Sequence, residues 1–269
     1  MEKIIVLGTR AVTAISGYNT CFVLEDKNGG HFLVDTGGGN GIMRQLEYAN
    51  IGVSSIHDIF ISHKHSDHLL GILWVFREVN ILMNKDKYDG VLNIYCHDEV
   101  ASIIRMMVTS ILRKSQYKHL DERVFIKIIH DEETINVLDY KIEIMDIQAK
   151  SDKQYGFKVH LNNGKTLIFA GDEPLNEMIF DKVRCADYLL HEAYCLEAEA
   201  GKYKPYEKDH ATVELACLKA EELNVKNLVL WHRHESLEES RNIQYQEAAK
   251  KVFNGKVYVP EDLDVIELD

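Results

Sequence analysis

Within six residues the chain sets three imidazoles and a carboxylate, His63-Lys64-His65-Ser66-Asp67-His68, directly after the apolar run Ile59-Phe60-Ile61. In an extended segment side chains two apart point the same way, so His63 and His65 can grip one ion. Asp67 and His68 come where the chain turns towards a helix, and they would face a second ion. Imidazole together with carboxylate suits zinc, iron or manganese. The competing reading, surface histidines in a polar turn, does not account for four such residues in this order after a strand.

The elements that must position the cluster are legible on either side of it. Residues 3–7 read as a buried strand, and 20–25 and 31–35 as two strands joined by the turn Asp26-Lys27-Asn28-Gly29-Gly30. Asp35-Thr36-Gly37-Gly38-Gly39 then breaks the strand pattern. No Gly-Lys-Ser/Thr follows, so a tight turn beside a site is a better reading than a phosphate cradle, with Asp35 as a candidate support. A helix is expected over 41–50, a short strand over 58–62, a buried helix over 69–76, a strand over 91–95 and a helix over 98–113. The stretch 114–131 reads as polar and irregular. Further strands are expected at 141–148, 155–160, 165–170, 188–190 and 227–231, helices around 175–183, 212–223 and 237–252, and short strands at the C-terminus. Strands dominate early and alternate with helices later, which suits sheets with helices packed outside.

Composition narrows the classes. A chain of 269 residues, 46% hydrophobic and 28% charged, is an ordinary globular one, and a single domain over 1–269 is expected. A formal net charge of −12 argues against a broad nucleic-acid-binding surface, since phosphate contacts need clustered Lys and Arg. Bound divalent cations would restore positive charge where a substrate phosphate sits. No apolar run approaches the roughly 18–20 residues of a membrane span, and Met1-Glu2-Lys3-Ile4-Ile5-Val6-Leu7 lacks the features of a signal peptide. Cys21, Cys96, Cys185, Cys195 and Cys217 are scattered without CxxC spacing and read as free thiols of a reducing compartment. A cytoplasmic protein without membrane association is expected.

The run His63-Lys64-His65-Ser66-Asp67-His68 resembles the HxHxDH signature of the metallo-β-lactamase fold hydrolases. The resemblance implies an α/β fold, a four-layer αββα sandwich, with a one- or two-metal site at the sheet edge. Asp172, in Phe169-Ala170-Gly171-Asp172, resembles the aspartate that bridges two cations. His232, after Leu228-Val229-Leu230-Trp231, resembles the last metal ligand, with His234 its nearby competitor. Tyr188-Leu189-Leu190-His191-Glu192-Ala193-Tyr194 resembles the His-Glu-Ala-Thr segment of the ribonuclease Z branch, and His210-Ala211-Thr212 its His-Ser-Thr segment. These matches run in order from Ile4 to Glu235. The resemblance thus implies His63, His65, Asp67, His68, Asp172 and His232 as metal ligands, with Asp67 doubling as a proton acceptor. For His210 it implies stabilising or protonating the leaving oxygen, against the plainer role of capping the helix at Thr212. His191 and Glu192 are read either as supports that orient ligands or as buried structural residues.

Two departures from the family pattern stand out. The histidine that should complete the first metal's shell is missing from Met145-Asp146-Ile147-Gln148-Ala149-Lys150-Ser151-Asp152-Lys153-Gln154-Tyr155-Gly156. Gln148 or Lys150 takes its place depending on register. Gln148 is preferred because it ends a strand, although a neutral amide oxygen is a weak ligand. Nothing between Val91 and Ile147 has the composition of the long Gly- and Pro-rich arm with which many ribonuclease Z enzymes clamp tRNA. The function expected is a metal-dependent hydrolase, a ribonuclease Z-like phosphodiesterase using a metal-bound hydroxide on a phosphodiester or related ester, RNA included. Its cofactor would be one or two divalent ions, zinc first, then manganese or iron; homodimers are common among such relatives. The alternative is a degenerate member that binds a metal or nucleotide with little or no turnover.

Overall fold

Runs rich in Val, Ile, Leu and Phe build two seven-stranded sheets. The computed structural model describes residues 1–234 and 241–269. In chain order the strands are β1 Lys3–Gly8, β2 Cys21–Glu25, β3 His31–Val34, β4 Ile56–Phe60, β5 Leu92–Cys96, β6 Val124–Ile128, β7 Thr134–Val137, β8 Tyr140–Asp146, β9 Tyr155–His160, β10 Thr166–Phe169, β11 Tyr188–Glu192, β12 Asn227–Trp231, β13 Lys256–Tyr258 and β14 Val265–Glu267. The helices are α1 Gly41–Tyr48, α2 Ser66–Leu69, α3 Ile72–Asn84, α4 Asp98–Ile111, α5 Phe180–Val183, α6 Ala200–Tyr203, α7 Val213–Glu222 and α8 Arg241–Ala249. The chain forms two compact units, Met1–Gly8 with Tyr18–His130 and Asp262–Asp269, and Thr9–Gly17 with Asp131–Glu261.

The first unit holds the sheet ordered β14-β1-β2-β3-β4-β5-β6. It is antiparallel through β3 and parallel from β3 to β6. On one face Ile5, Val23, Leu33, Ile59 and Ile94 form one apolar cluster with Leu46 of α1, Val75 and Val79 of α3, and Ile104 and Val108 of α4. The intervening Ile4, Phe22, Phe32 and Phe60 are fully buried as well, so these strands are apolar at successive positions rather than at alternate ones.

The second unit holds the sheet ordered β13-β12-β11-β10-β9-β8-β7, parallel from β10 to β13 and antiparallel from β7 to β10. Ile168, Leu189, Leu228 and Leu230 form a cluster with Ala216, Cys217 and Ala220 of α7 and Tyr245 and Ala249 of α8. The small residues of α7 let that helix lie close to the strands.

Most expected elements are found within one or two residues, and three expectations change. The stretch 114–131 contains β6, whose Val124-Phe125-Ile126-Lys127-Ile128 is a β-branched and aromatic run pairing in parallel with β5. The short β7, which pairs with β8, was not anticipated. The buried helix after Asp67 is two helices, α2 and α3, with Gly71 between them. Of the helix expected over 237–252, α8 covers Arg241–Ala249, and 237–240 lie outside the described residues. No described helix is long and apolar enough to cross a membrane.

Gly71 shows how tightly the loops beneath the histidine cluster fit. Its N–H donates to Gly37 O at 2.9 Å, and a Cβ at this position would fall 1.9 Å from the Thr36 carbonyl oxygen. Backbone rather than a flexible side chain would have to move. Gly71→Ala is expected to destabilise the protein by about 1–3 kcal/mol, the range for overpacking a closed site, read as a lower urea midpoint.

Candidate metal centre

In the first unit β3 and β4 are parallel neighbours, and the candidate residues leave from their carboxyl ends. Asp35 N–H donates to Phe60 O at 2.8 Å, and Thr36 N–H to His68 O at 2.9 Å, so the two strand-end loops are stitched together by their backbones. Asp35 itself turns left-handed, with φ 56°. Its carboxylate accepts Ser62 N–H on Oδ1 at 2.8 Å, and on Oδ2 the Ser62 hydroxyl at 2.7 Å and His68 Nδ1 at 2.8 Å.

This arrangement sets the tautomers of two rings. Ser62 Oγ has one proton and gives it to Asp35, so its 2.9 Å contact with His63 Nδ1 has the ring N–H donating to Oγ. His68 Nδ1 likewise carries a proton, because a buried carboxylate receives it. Both rings are left to offer Nε2 as an electron-pair donor, the pattern by which outlying hydrogen bonds orient metal-ligating histidines. The ring centroids of His65 and His68 lie 4.4 and 4.3 Å from that of His63, and Asp67 Oδ2 lies 3.7 Å from His68 Nε2. Lys64, between the first two histidines, instead reaches Glu99 on α4 at 3.2 Å. His63, Asp67 and His68 are buried. Electron-pair donors gathered away from water repel one another unless a cation sits among them, and imidazole nitrogens with a carboxylate fit a divalent ion such as zinc.

In the second unit the parallel strands β10, β11 and β12 are adjacent, and their carboxyl ends deliver Asp172, Glu192 and His232. Asp172 Oδ2 lies 3.6 Å from His232 Nε2. Glu192, His210 and His232 offer donor atoms within 4.8 Å of one another; His232 joins this group and His234 does not. His234 instead stacks on Tyr203, with centroids 4.1 Å apart. His232 has φ 52°, and the next residue anchors it. Arg233 is wholly buried, donates its N–H to Thr9 O at 3.0 Å, and spends its guanidinium on Asn242, Thr9, Pro260 O and Glu261.

His210 is held on three sides. Its Nδ1 is 3.0 Å from the Asp172 carbonyl oxygen, which can only accept, so Nδ1 carries a proton. Tyr194 stacks on the ring at 4.7 Å and 8°, and Glu192 Oε2 lies 3.7 Å from Nδ1. Glu192 is fully buried and accepts the Ala211 N–H. Burial pushes its carboxyl well above the usual range; the Ala211 amide opposes this, and Asp172 and Glu173 add to it. Capping of α7 is done by Thr212, whose Oγ1 accepts Leu215 N–H at 3.3 Å, so His210 is not the cap.

Gln148 lies just beyond β8, with φ 57°, its N–H on Asp146 Oδ1 at 2.8 Å and its carbonyl on Asn176 Nδ2 at 3.0 Å. Lys150, the other residue expected there, directs its side chain to Asp209, pairing with it at 3.3 Å. Residues that sequence reasoning passed over are Ser62, which relays Asp35 to His63, and the buried Gln154 and Glu173. A serine directly before the first histidine was the only signal for the relay.

Two outcomes follow from this geometry. Asp35→Asn keeps the shape but lets an amide donate where Ser62 and His68 also donate. It is expected to weaken metal retention about 10–100-fold, read by chelator competition with the far-UV circular dichroism unchanged. His191 is fully buried, with Nδ1 on its neighbour's carbonyl; burial lowers its pKa from 6.5 to about 4, that hydrogen bond opposing. The unfolded chain therefore takes up the proton first. Stability is complete above pH 6.5 and falls as pH drops towards 4, by about 2 kcal/mol at pH 5. His191→Leu should remove that part of the acid sensitivity in urea melts at pH 7 and pH 5.

Known proteins agree with this architecture. A ribonuclease Z from Thermococcus sibiricus is 26% identical over 310 aligned positions, which cover 100% of this chain and 97% of that protein. Among solved structures, the metallo-β-lactamase fold protein YhfI from Bacillus subtilis superposes with TM-score 0.79 at 17% identity over 98% of both chains. The human short-form tRNase Z does so with TM-score 0.75 at 21% identity over 99% of both. The expected fold class, an α/β sandwich of metallo-β-lactamase type, is therefore the observed one, and the chain is a ribonuclease Z-like relative within a family of metal-dependent hydrolases. The sequence profile described as Anti-Pycsar protein Apyc1 matches residues 2–251, and the chain belongs to that family.

Proposed function

We propose that the chain is a metal-dependent phosphodiesterase, with His63, His65, Asp67, His68, Asp172 and His232 as ligands of its divalent-metal centre and His210 as the acid. The observation that carries this reading is the Asp35 carboxylate, which places the protons of His63 and His68 on Nδ1 and so reserves Nε2 for a cation. When bound, a divalent ion, zinc first, supplies Lewis-acid polarisation of the phosphoryl oxygen and acidifies water. Asp67 accepts the proton released by the attacking water. His210 keeps one proton at Nδ1 on the Asp172 carbonyl and gives a second, from Nε2, to the departing oxygen. Tyr194 holds the ring plane.

For the substrate, chain length favours a small phosphodiester over precursor tRNA. The alignment with the ribonuclease Z relative runs over 310 positions against the 269 residues here, so about forty of its positions have no counterpart. Between Val91 and Ile147 the chain is occupied by β5, α4, β6, β7 and β8, with no arm-like composition.

The test is metal content per chain followed by hydrolysis of bis(p-nitrophenyl) phosphate with added zinc or manganese. Asp172→Ala is expected to abolish turnover, and His210→Ala to lower kcat about 10²–10⁴-fold with metal content unchanged. No turnover with any cation, restored by Gln148→His, would instead show a relative that binds metal without acting on this bond.

A further inference from the structure

The segment 148–154 lacks the histidine that the family pattern would put there, yet one carboxylate organises it. Glu173 Oε2 accepts the Lys150 N–H at 2.8 Å, the strongest contact, while Oε1 receives the Ser151 hydroxyl at 3.4 Å and Gln154 Nε2 at 3.5 Å. Glu173 is 6% exposed and Gln154 is wholly buried. Gln154 Oε1 turns back to the Asp172 N–H at 3.5 Å, and Gln154 O accepts the Ile147 N–H at 3.1 Å. A Cβ on Gly171, which has φ 73°, would lie 2.8 Å from Ile147 Cδ1 and 3.1 Å from Gln154 Oε1, so the turn rests directly against Gly171-Asp172. On its other side Lys150 Nζ pairs with Asp209 at 3.3 Å, the left-handed residue immediately before His210. His210 Nδ1 then closes the circuit on the Asp172 carbonyl.

We propose that Glu173 is a positioning residue that does here the work of a histidine–metal bond: its buried carboxylate holds 148–154 in place and, through that turn, keeps Asp172 and His210 in register whether or not metal is bound. The functional consequence rests on the roles proposed above for Asp172 and His210; the anchoring itself does not. A carboxyl group suits this task because its two oxygens accept from three donors of the turn at once, and because it remains when the ion leaves.

The experiment follows backbone amide exchange in the full chain, zinc-loaded and chelator-stripped, for wild type, Glu173→Ala and Glu173→Gln, with the visible spectrum of the cobalt-substituted protein as a second readout. In wild type the Lys150 amide should stay protected after stripping. Glu173→Ala should speed its exchange about tenfold in both forms, the fold-change of a lost hydrogen bond, and shift the cobalt bands. Glu173→Gln, which keeps an acceptor oxygen, should recover most of both. Loss of Lys150 protection in stripped wild type would overturn the proposal, as would an alanine variant unchanged in exchange and spectrum. If wild type takes up no cobalt, the metal reading fails while the exchange comparison still decides the anchoring. Should the alanine variant not fold, Glu173→Asp, with its carboxylate drawn back by one carbon, takes its place.

Discussion

The carboxylate of Asp35 is the interaction on which the candidate centre most depends. A carboxylate with 1% of its side chain exposed would be costly alone, by several kcal/mol. Here three donors converge on it, and each comes from the histidine loop. The pairing works in both directions. The donors make the buried charge tolerable, and the charge dictates which nitrogen of two different rings keeps its proton. Ser62 extends the reach of one acidic group to a second ring, because a hydroxyl that has given its only hydrogen can act solely as acceptor towards the next partner.

Both units deliver chemistry in the same way. Parallel strands end at one edge of a sheet, and the first residues beyond them carry the polar groups, as is usual for open α/β sheets. Asp35 follows β3 and His63 follows β4; Asp172 follows β10, Glu192 ends β11 and His232 follows β12. The strands are buried and closely packed, so a few loop residues inherit the rigidity of the sheet without belonging to it. Arg233 extends this principle past β12 by tying the residue after His232 to Thr9, Pro260 and Glu261.

Much of this was legible in the chain because the informative residues are neighbours. His63 to His68 announce themselves by type and spacing, and the apolar runs before Asp172 and His232 mark strands whose ends are worth inspecting. The glycine break after Asp35 pointed correctly to a turn. Other features depend on distances that local reading does not carry. Strand β6 was hidden by the charged residues around it, since composition over 114–131 outweighed a five-residue β-branched and aromatic run. Glu173 and Gln154 matter through partners about twenty positions away, and nothing in Gly171-Asp172-Glu173 says where the second carboxylate points. That His210 does not cap α7 needed the Thr212 hydroxyl located, because both residues stand at the same loop exit. Gly71 looked like an ordinary helix boundary until the Thr36 carbonyl lay beside it.

Asp35 and His232 share a backbone property, left-handed φ values of 56° and 52° in residues that are not glycine. Such a conformation costs about 1–2 kcal/mol per residue, and the surrounding hydrogen bonds hold it. At these two positions a glycine would relax the chain and delete the side chain that gives the position its use. Selection for stability alone and selection for the proposed chemistry therefore pull in opposite directions at the same two places, so a version of this chain optimised only for melting temperature would drift first at the residues the proposed reaction can least spare.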